Sequence, residues 1–169
     1  MSRLQVDKVL NSNVPLEDST GSSLHDSATN VLLSMISKES MEEILSQDLC
    51  EIEPDFLGFV GNYYLLSMMI PKNFTIVDLG CAYAPQSYLF QQHNKYIGVD
   101  NGTVKRFTSA NTEHKSCTIK SFLESKEFSV LDLNTTFFIC QYVPSWYEHD
   151  IKKVLGKLKN VFSFYPCGD

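Results

Sequence analysis

The sequence predicts an α/β fold: a mostly parallel sheet of about five strands flanked by helices, with a helical segment in front of it. Three observations carry that expectation. From Phe74 onward, short β-type apolar runs alternate with segments of helical pattern. The first of these runs, Thr75-Ile76-Val77-Asp78-Leu79, ends at Gly80 and is followed by a turn of small residues, Cys81-Ala82-Tyr83-Ala84-Pro85. A second run, Tyr96-Ile97-Gly98-Val99, is closed by Asp100, 20 residues after Gly80. Strand, small-residue turn, helix, strand and acid is the layout of a nucleotide-type pocket at the carboxyl edge of a parallel sheet.

The 169 residues are enough for one domain with a substantial core. A formal net charge of −6 repels phosphate backbones, so a nucleic-acid partner is not favoured. The cysteines (Cys50, Cys81, Cys117, Cys140 and Cys167) are odd in number and widely spaced, with no Cys-x-x-Cys. That pattern fits small buried hydrophobes in a reducing, cytoplasmic setting better than a disulfide framework or a zinc site. His25, His93 and His114 share no metal-ligand spacing with one another or with carboxylates, so no metal is expected. No basic stretch followed by an apolar core opens the sequence, and the most apolar window, Phe56 to Ile70, is interrupted by Gly58, Gly61, Asn62 and Ser67. It reads as a buried helix rather than a membrane span.

The elements follow in order. Residues 1–23 are polar and aperiodic and read as a flexible tail before a single α/β domain, 24–169, made of N-terminal helices (24–72) and a sheet-based core (73–169). Asp26 caps a first helix carrying Ala28, Val31, Leu32, Met35 and Ile36 at helical spacing. Ser40 and Glu43 have capping-box spacing for a second, running to about Leu49. Glu53-Pro54-Asp55 opens a third, whose Phe56, Phe59, Val60, Tyr63, Tyr64, Leu66 and Met69 suit a position between the sheet and the earlier helices. Strands are expected over 75–79 and 95–99, with a short third over 116–119, a buried fourth over 135–140 and a fifth over 160–165. Ser121 and Glu124 have capping-box spacing for a short helix through Phe122 and Leu123, and Ser145-Trp146-Tyr147-Glu148 for a longer one with Ile151, Val154, Leu155 and Leu158 on one face.

The chemistry is concentrated in the turn after the first strand. Gly80 lets the backbone turn sharply and a ligand come close. Ala82 and Ala84 keep the turn nearly bare, and Pro85 suits the first position of a following helix. Asp78 sits at the strand end and is expected to face the same crevice, and a carboxylate at Asp100 can accept both hydroxyls of a ribose.

Val77-Asp78-Leu79-Gly80-x-Ala82-x-Ala84 resembles the first motif of the class I S-adenosylmethionine-dependent methyltransferases, an acid followed by Gly-x-Gly-x-Gly, and Tyr96-Ile97-Gly98-Val99-Asp100 resembles their second. Phe138-Ile139-Cys140-Gln141-Tyr142-Val143-Pro144 resembles the strand after which their fourth motif lies. The likeness covers about residues 74 to 166 and is to a version shortened at the C-terminus. It implies a Rossmann-like fold and S-adenosylmethionine as cofactor. It further implies Gly80, Cys81 and Ala82 beside the methionine part, Asp78 organising that loop and helping to hold the cofactor's amino end, Asp100 on the ribose, Asn101 bordering adenine, and Ser121 and Phe122 on the adenine side. Gln141 and Tyr142 would then stand nearest the transferable methyl group as candidate catalytic residues. Two of the motif's three glycines are alanine here, which a position needing positive φ would strain.

The function expected is methyl transfer from S-adenosylmethionine to an unidentified acceptor, a small molecule. The alternative is a non-catalytic methyltransferase-like module that binds the cofactor or a partner protein. A dinucleotide oxidoreductase fits less well, because its Gly-x-Gly-x-x-Gly spacing is not that of positions 80, 82 and 84.

Overall fold

The computed structural model describes residues 24–46, 60–140 and 153–163. Helices α1 (Leu24–Met35), α2 (Lys38–Leu45) and α3 (Val60–Met69) precede strand β1 (Thr75–Leu79). A 3-10 helix, Pro85–Phe90, leads to β2 (Lys95–Asp100) and β3 (Thr112–Ser116), then α4 (Ile119–Leu123), α5 (Lys126–Ser129), β4 (Thr136–Cys140) and β5 (Val161–Ser163). The strands form one sheet in the order β3-β2-β1-β4-β5, and every neighbouring pair is parallel. Val77 is level with Ile97 on one side and Phe138 on the other. This is the Rossmann-like α/β arrangement the alternating pattern predicts. The strand order reverses between β1 and β4, so the crevice at the carboxyl ends of the strands opens there.

Period-2 alternation sorts the strand residues between two cores. Ile76, Tyr96, Phe137 and Ile139 face one side, with Phe90 and with Ala28, Leu32, Ile44, Tyr63 and Leu66 of the N-terminal helices. Val77, Leu79, Ile97, Val99, Phe138 and Cys140 face the other, against Ile119, Phe122, Leu155 and Leu158. Both faces are covered, which is why β1, β2 and β4 read as nearly continuous apolar runs. Helix α3 packs between α1 and the 3-10 helix and buries Val60, Tyr63, Leu66 and Ser67, while Met68 is exposed.

Strands β1, β2 and β4 lie where the sequence places them, and β5 falls within its expected span, of which 164–165 lie outside the described residues, but the third strand does not. It spans Thr112–Ser116, and Ile119 already belongs to α4. The strand is polar because it sits at the sheet edge: Glu113 pairs with Lys95 and Lys115, and Lys115 with Glu127 at 2.9 Å. Charged side chains suit an edge strand, and they erase the apolar signal that reveals an inner one. Three caps also shift. Helix α2 is capped by Ser37, whose Oγ accepts the Ser40 N–H at 3.1 Å, and α4 by Thr118, whose Oγ1 accepts the Ser121 N–H at 3.1 Å. Ser40 and Ser121 are therefore the third residues of their helices, because another hydroxyl three positions earlier takes the orphan donor first. Helix α1 already includes Leu24, so Asp26 stands in its first turn rather than before it.

The expected start of the third helix at Glu53-Pro54-Asp55, the capping box at 145–148 and the tail over 1–23 lie outside the described residues. Among the described residues no helix is long and apolar enough to cross a membrane. No group of three or more His, Cys, Asp or Glu gathers there as a metal site.

Gly98 in β2 lets the turn after β1 settle onto the sheet. A Cβ there would stand 2.7 Å from His114 Nδ1 and 2.9 Å from Cys81 Sγ. Gly98→Ala is therefore expected to destabilise the fold by about 1–3 kcal/mol, read as a lower urea midpoint. An unchanged midpoint would contradict this packing.

Candidate functional site

The turn between β1 and the 3-10 helix leans on the end of β2. Gly80 N–H and Cys81 N–H both donate to the Val99 carbonyl, at 2.7 and 3.2 Å. Ala84 N–H closes the turn on Cys81 O at 2.9 Å, and Pro85 takes the first position of the 3-10 helix. Gly80 has φ 80°, Ala82 49° and Ala84 56°. All three motif positions thus adopt the left-handed conformation that favours glycine, two of them with alanine, at about 1 kcal/mol of strain each. Surrounding bonds hold the geometry: Ala82 N–H donates to Asp100 Oδ2 at 3.0 Å, and Phe107 N–H to Tyr83 O at 2.8 Å.

Asp78 does not face the crevice as expected, and its carboxylate is not placed to hold a cofactor's amino end: it points the other way. It is fully buried on the face shared with Ile76, where Tyr63 Oη donates to its Oδ1 at 3.0 Å, and Gln86 Nε2 (2.9 Å) and Tyr96 Oη donate to its Oδ2. Gln86 Nε2 also donates to Cys81 O at 3.1 Å, which ties the carboxylate to the turn. Burial pushes the Asp78 carboxyl up to about 6, although the Gln86, Tyr96 and Tyr63 donors pull it back down. Burial first, and the Asp78 charge second, raise both tyrosine hydroxyls well above their ordinary value, so they stay protonated as donors. Asp78 organises the turn from beneath. Helix α3, the 3-10 helix, β1 and β2 all meet on it.

Asp100 closes β2 with a half-buried side chain at 24% exposure. Its Oδ2 accepts Ala82 N–H, its Oδ1 accepts Gly102 N–H at 3.0 Å, and its main-chain carbonyl accepts Cys117 N–H at 3.1 Å. Each carboxylate oxygen keeps one lone pair. Gly80, Cys81, Ala82 and Asp100 are thus brought together at the carboxyl edge, with Asn101 exposed beside them. The Cys81 thiol is buried and burial pushes it well above its ordinary value, so only its main chain borders the crevice. Ser121 is exposed on α4, and Phe122 is 1% exposed and packed into the second core. Neither hydrogen-bonds to the turn. Gln141 and Tyr142, which follow β4 in sequence, lie outside the described residues.

The motif reading overlooks Tyr63, Gln86, Tyr96 and Arg106. The three Asp78 partners carry no local signal, since a Tyr or Gln in an apolar segment reads as core. Arg106 has one: with Arg3 it is one of two arginines in the sequence, and it falls six residues after the strand-closing acid.

No family model matches this chain, and no curated protein matches it. Among solved structures it is similar to a candidate type II methyltransferase from Anaeromyxobacter dehalogenans, with a TM-score of 0.44 and 11% identity over 62% of this chain and 47% of that one. The chain thus spans about half the length of that protein. A likeness this loose adds nothing to the fold described above, and the site rests on its own geometry.

Two outcomes follow from that geometry. Ala82 is exposed, so Ala82→Gly should relieve strain and raise stability by roughly 0.5–1 kcal/mol, whereas Ala84→Gly should be near neutral because it also removes a buried methyl group. Thermal melts of the two variants check the difference. For Asp78 the folded carboxyl titrates near 6 and the unfolded one near 3.8, so between those values the folded state holds a proton the unfolded state has lost. Its contribution to stability therefore falls as pH rises through that window, by about 3 kcal/mol, and levels off above it. Denaturant midpoints from pH 4 to 7 should show a downward component in wild type that Asp78→Asn removes; identical pH profiles would contradict the assignment.

Proposed function

We propose that this chain binds S-adenosylmethionine across the carboxyl ends of β1 and β2 and presents its methyl group to an acceptor, a small molecule. One observation carries the reading: the left-handed turn at Gly80–Ala84 and the acid closing the next strand meet directly, through the 3.0 Å bond from Ala82 N–H to Asp100, at the carboxyl edge of a parallel sheet in the order β3-β2-β1-β4-β5. The residues present fit the cofactor. Asp100 is partly exposed and has a lone pair left on each oxygen for the two ribose hydroxyls. Gly80 and Ala82 present a nearly bare backbone to the methionine part. Asn101 borders the adenine position.

The bound sulfonium would supply the reactivity, an in-line displacement of its methyl group by an acceptor nucleophile. The work left to this chain is orientation: Asp100 fixes the ribose, and the turn fixes the chain that leads to the sulfur. Asp78 takes part from beneath, by holding Gln86 and through it the Cys81 carbonyl. Gln141 and Tyr142 are the candidates for the acceptor side, on their position after β4.

Binding without transfer is the second reading, and one observation favours it: two of the three motif glycine positions carry alanine, held at positive φ. Calorimetry with S-adenosylmethionine, followed by a labelled-methyl assay on a panel of small nucleophiles, separates the two. Wild type should bind, and Asp100→Asn, which keeps an oxygen for the Ala82 N–H, should bind about tenfold more weakly or worse. Absence of heat with wild type would remove cofactor binding. Equal affinity in the variant would remove the pocket from Asp100. Binding with no transfer to any acceptor would favour the module.

A further inference from the structure

Arg106 lies in the loop after β2, beside the Asp100 carboxylate. Its side chain is 4% exposed, rare for an arginine. The guanidinium spends its donors on loop carbonyls. Nε donates to Ala82 O at 3.0 Å, and one terminal nitrogen donates to Gly102 O and, at 3.4 Å, to Asp100 O. The other terminal nitrogen donates to Ser116 Oγ at 3.2 Å. Asp100 Oδ1 stands 4.0 Å from the guanidinium, so the ion pair itself is loose.

The pattern of partners is what matters. Two N–H groups orient the Asp100 carboxylate, those of Ala82 and Gly102. The carbonyls of those same two residues are held by the one guanidinium. Arg106 therefore fixes both residues that aim the acid, and it ties the ends of β1, β2 and β3 together as it does so. A planar fork with five donors can satisfy these diverging acceptors at once, whereas an ammonium on a flexible stem cannot.

Resting on the cofactor reading above, we propose that Arg106 is the positioning residue that aims the Asp100 carboxylate, and that through it the site selects a ribose bearing both hydroxyls over a deoxyribose. Arg106 touches no ligand in this arrangement. Its effect reaches the sugar only through the lone pairs left on Asp100. Removing the fork should cost the interaction with the hydroxyl and leave the remaining contacts to the nucleoside in place.

The test compares the affinities of S-adenosylhomocysteine and its 2′-deoxyribose analogue by calorimetry. Wild type should prefer the ribose form by about tenfold or more, as expected for a hydrogen bond to a charged acceptor. Arg106→Lys should reduce that preference to about twofold or less, with the deoxy analogue bound nearly as in wild type. A variant that weakens both ligands equally and keeps the wild-type ratio has lost only structure, and that result overturns the proposal. So does a wild type that binds both forms alike, which would leave the cofactor reading standing. A wild type that binds neither removes the cofactor reading and this proposal with it. If Arg106→Lys does not fold, Ser116→Ala serves at an exposed position that removes a single guanidinium bond. It should lower the ratio by about twofold, and an unchanged ratio counts against the assignment.

Discussion

The buried carboxylate of Asp78 is the constraint from which most of this structure follows. A carboxylate taken wholly out of water is expensive unless donors surround it. Here three converge from separate elements: Tyr63 from α3, Gln86 from the 3-10 helix and Tyr96 from β2. The need to satisfy one group therefore fixes how the N-terminal helical layer sits on the sheet. The aromatic rings that bring the hydroxyls also fill the core around them, with Phe90 stacked on Tyr96 at 5.8 Å and edge-on to Tyr63 at 6.4 Å. The balance is incomplete, because burial still outweighs the donors and leaves the acid with a raised pKa.

The turn above Asp78 is a second consequence. Gln86 bridges from the buried acid to the Cys81 carbonyl, and Gly98 leaves room for the Cys81 side chain to pack against β2. Ala82 and Ala84 then hold a backbone conformation that their own side chains disfavour. Local preference loses because the turn is fixed at several points by bonds to Val99, Asp100, Phe107 and Arg106. The same bonds pre-order the carboxyl edge, where a ligand would otherwise have to organise the loop itself. Preorganisation of that kind is what a site needs when its task is alignment rather than covalent chemistry.

Much of the fold was legible in the sequence. Inner strands flanked by helices on both faces must be apolar throughout, so Thr75–Leu79, Tyr96–Val99 and Phe137–Cys140 announce themselves. Edge strand β3 could not, since Thr-Glu-His-Lys-Ser carries the charges an edge tolerates and none of the apolar residues an inner strand requires. Cap positions misled for a related reason. Several hydroxyl residues lie near each helix start, and the first that can reach an orphan N–H takes it, as Ser37 and Thr118 do.

The sequence by itself determined the parallel α/β sheet, the sharp turn at Gly80 and the acid 20 residues beyond it, because each is written in neighbouring residues. Only the tertiary structure decided that Asp78 faces the core, that the alanines adopt positive φ, and that Arg106 braces Asp100. Those outcomes depend largely on bonds between residues 15 to 24 positions apart, from Tyr63 to Asp78 and from Ala82 to Arg106. Which donor a buried acid meets, and which carbonyl a guanidinium reaches, depends on how the strands stack. A local pattern carries no record of that distance.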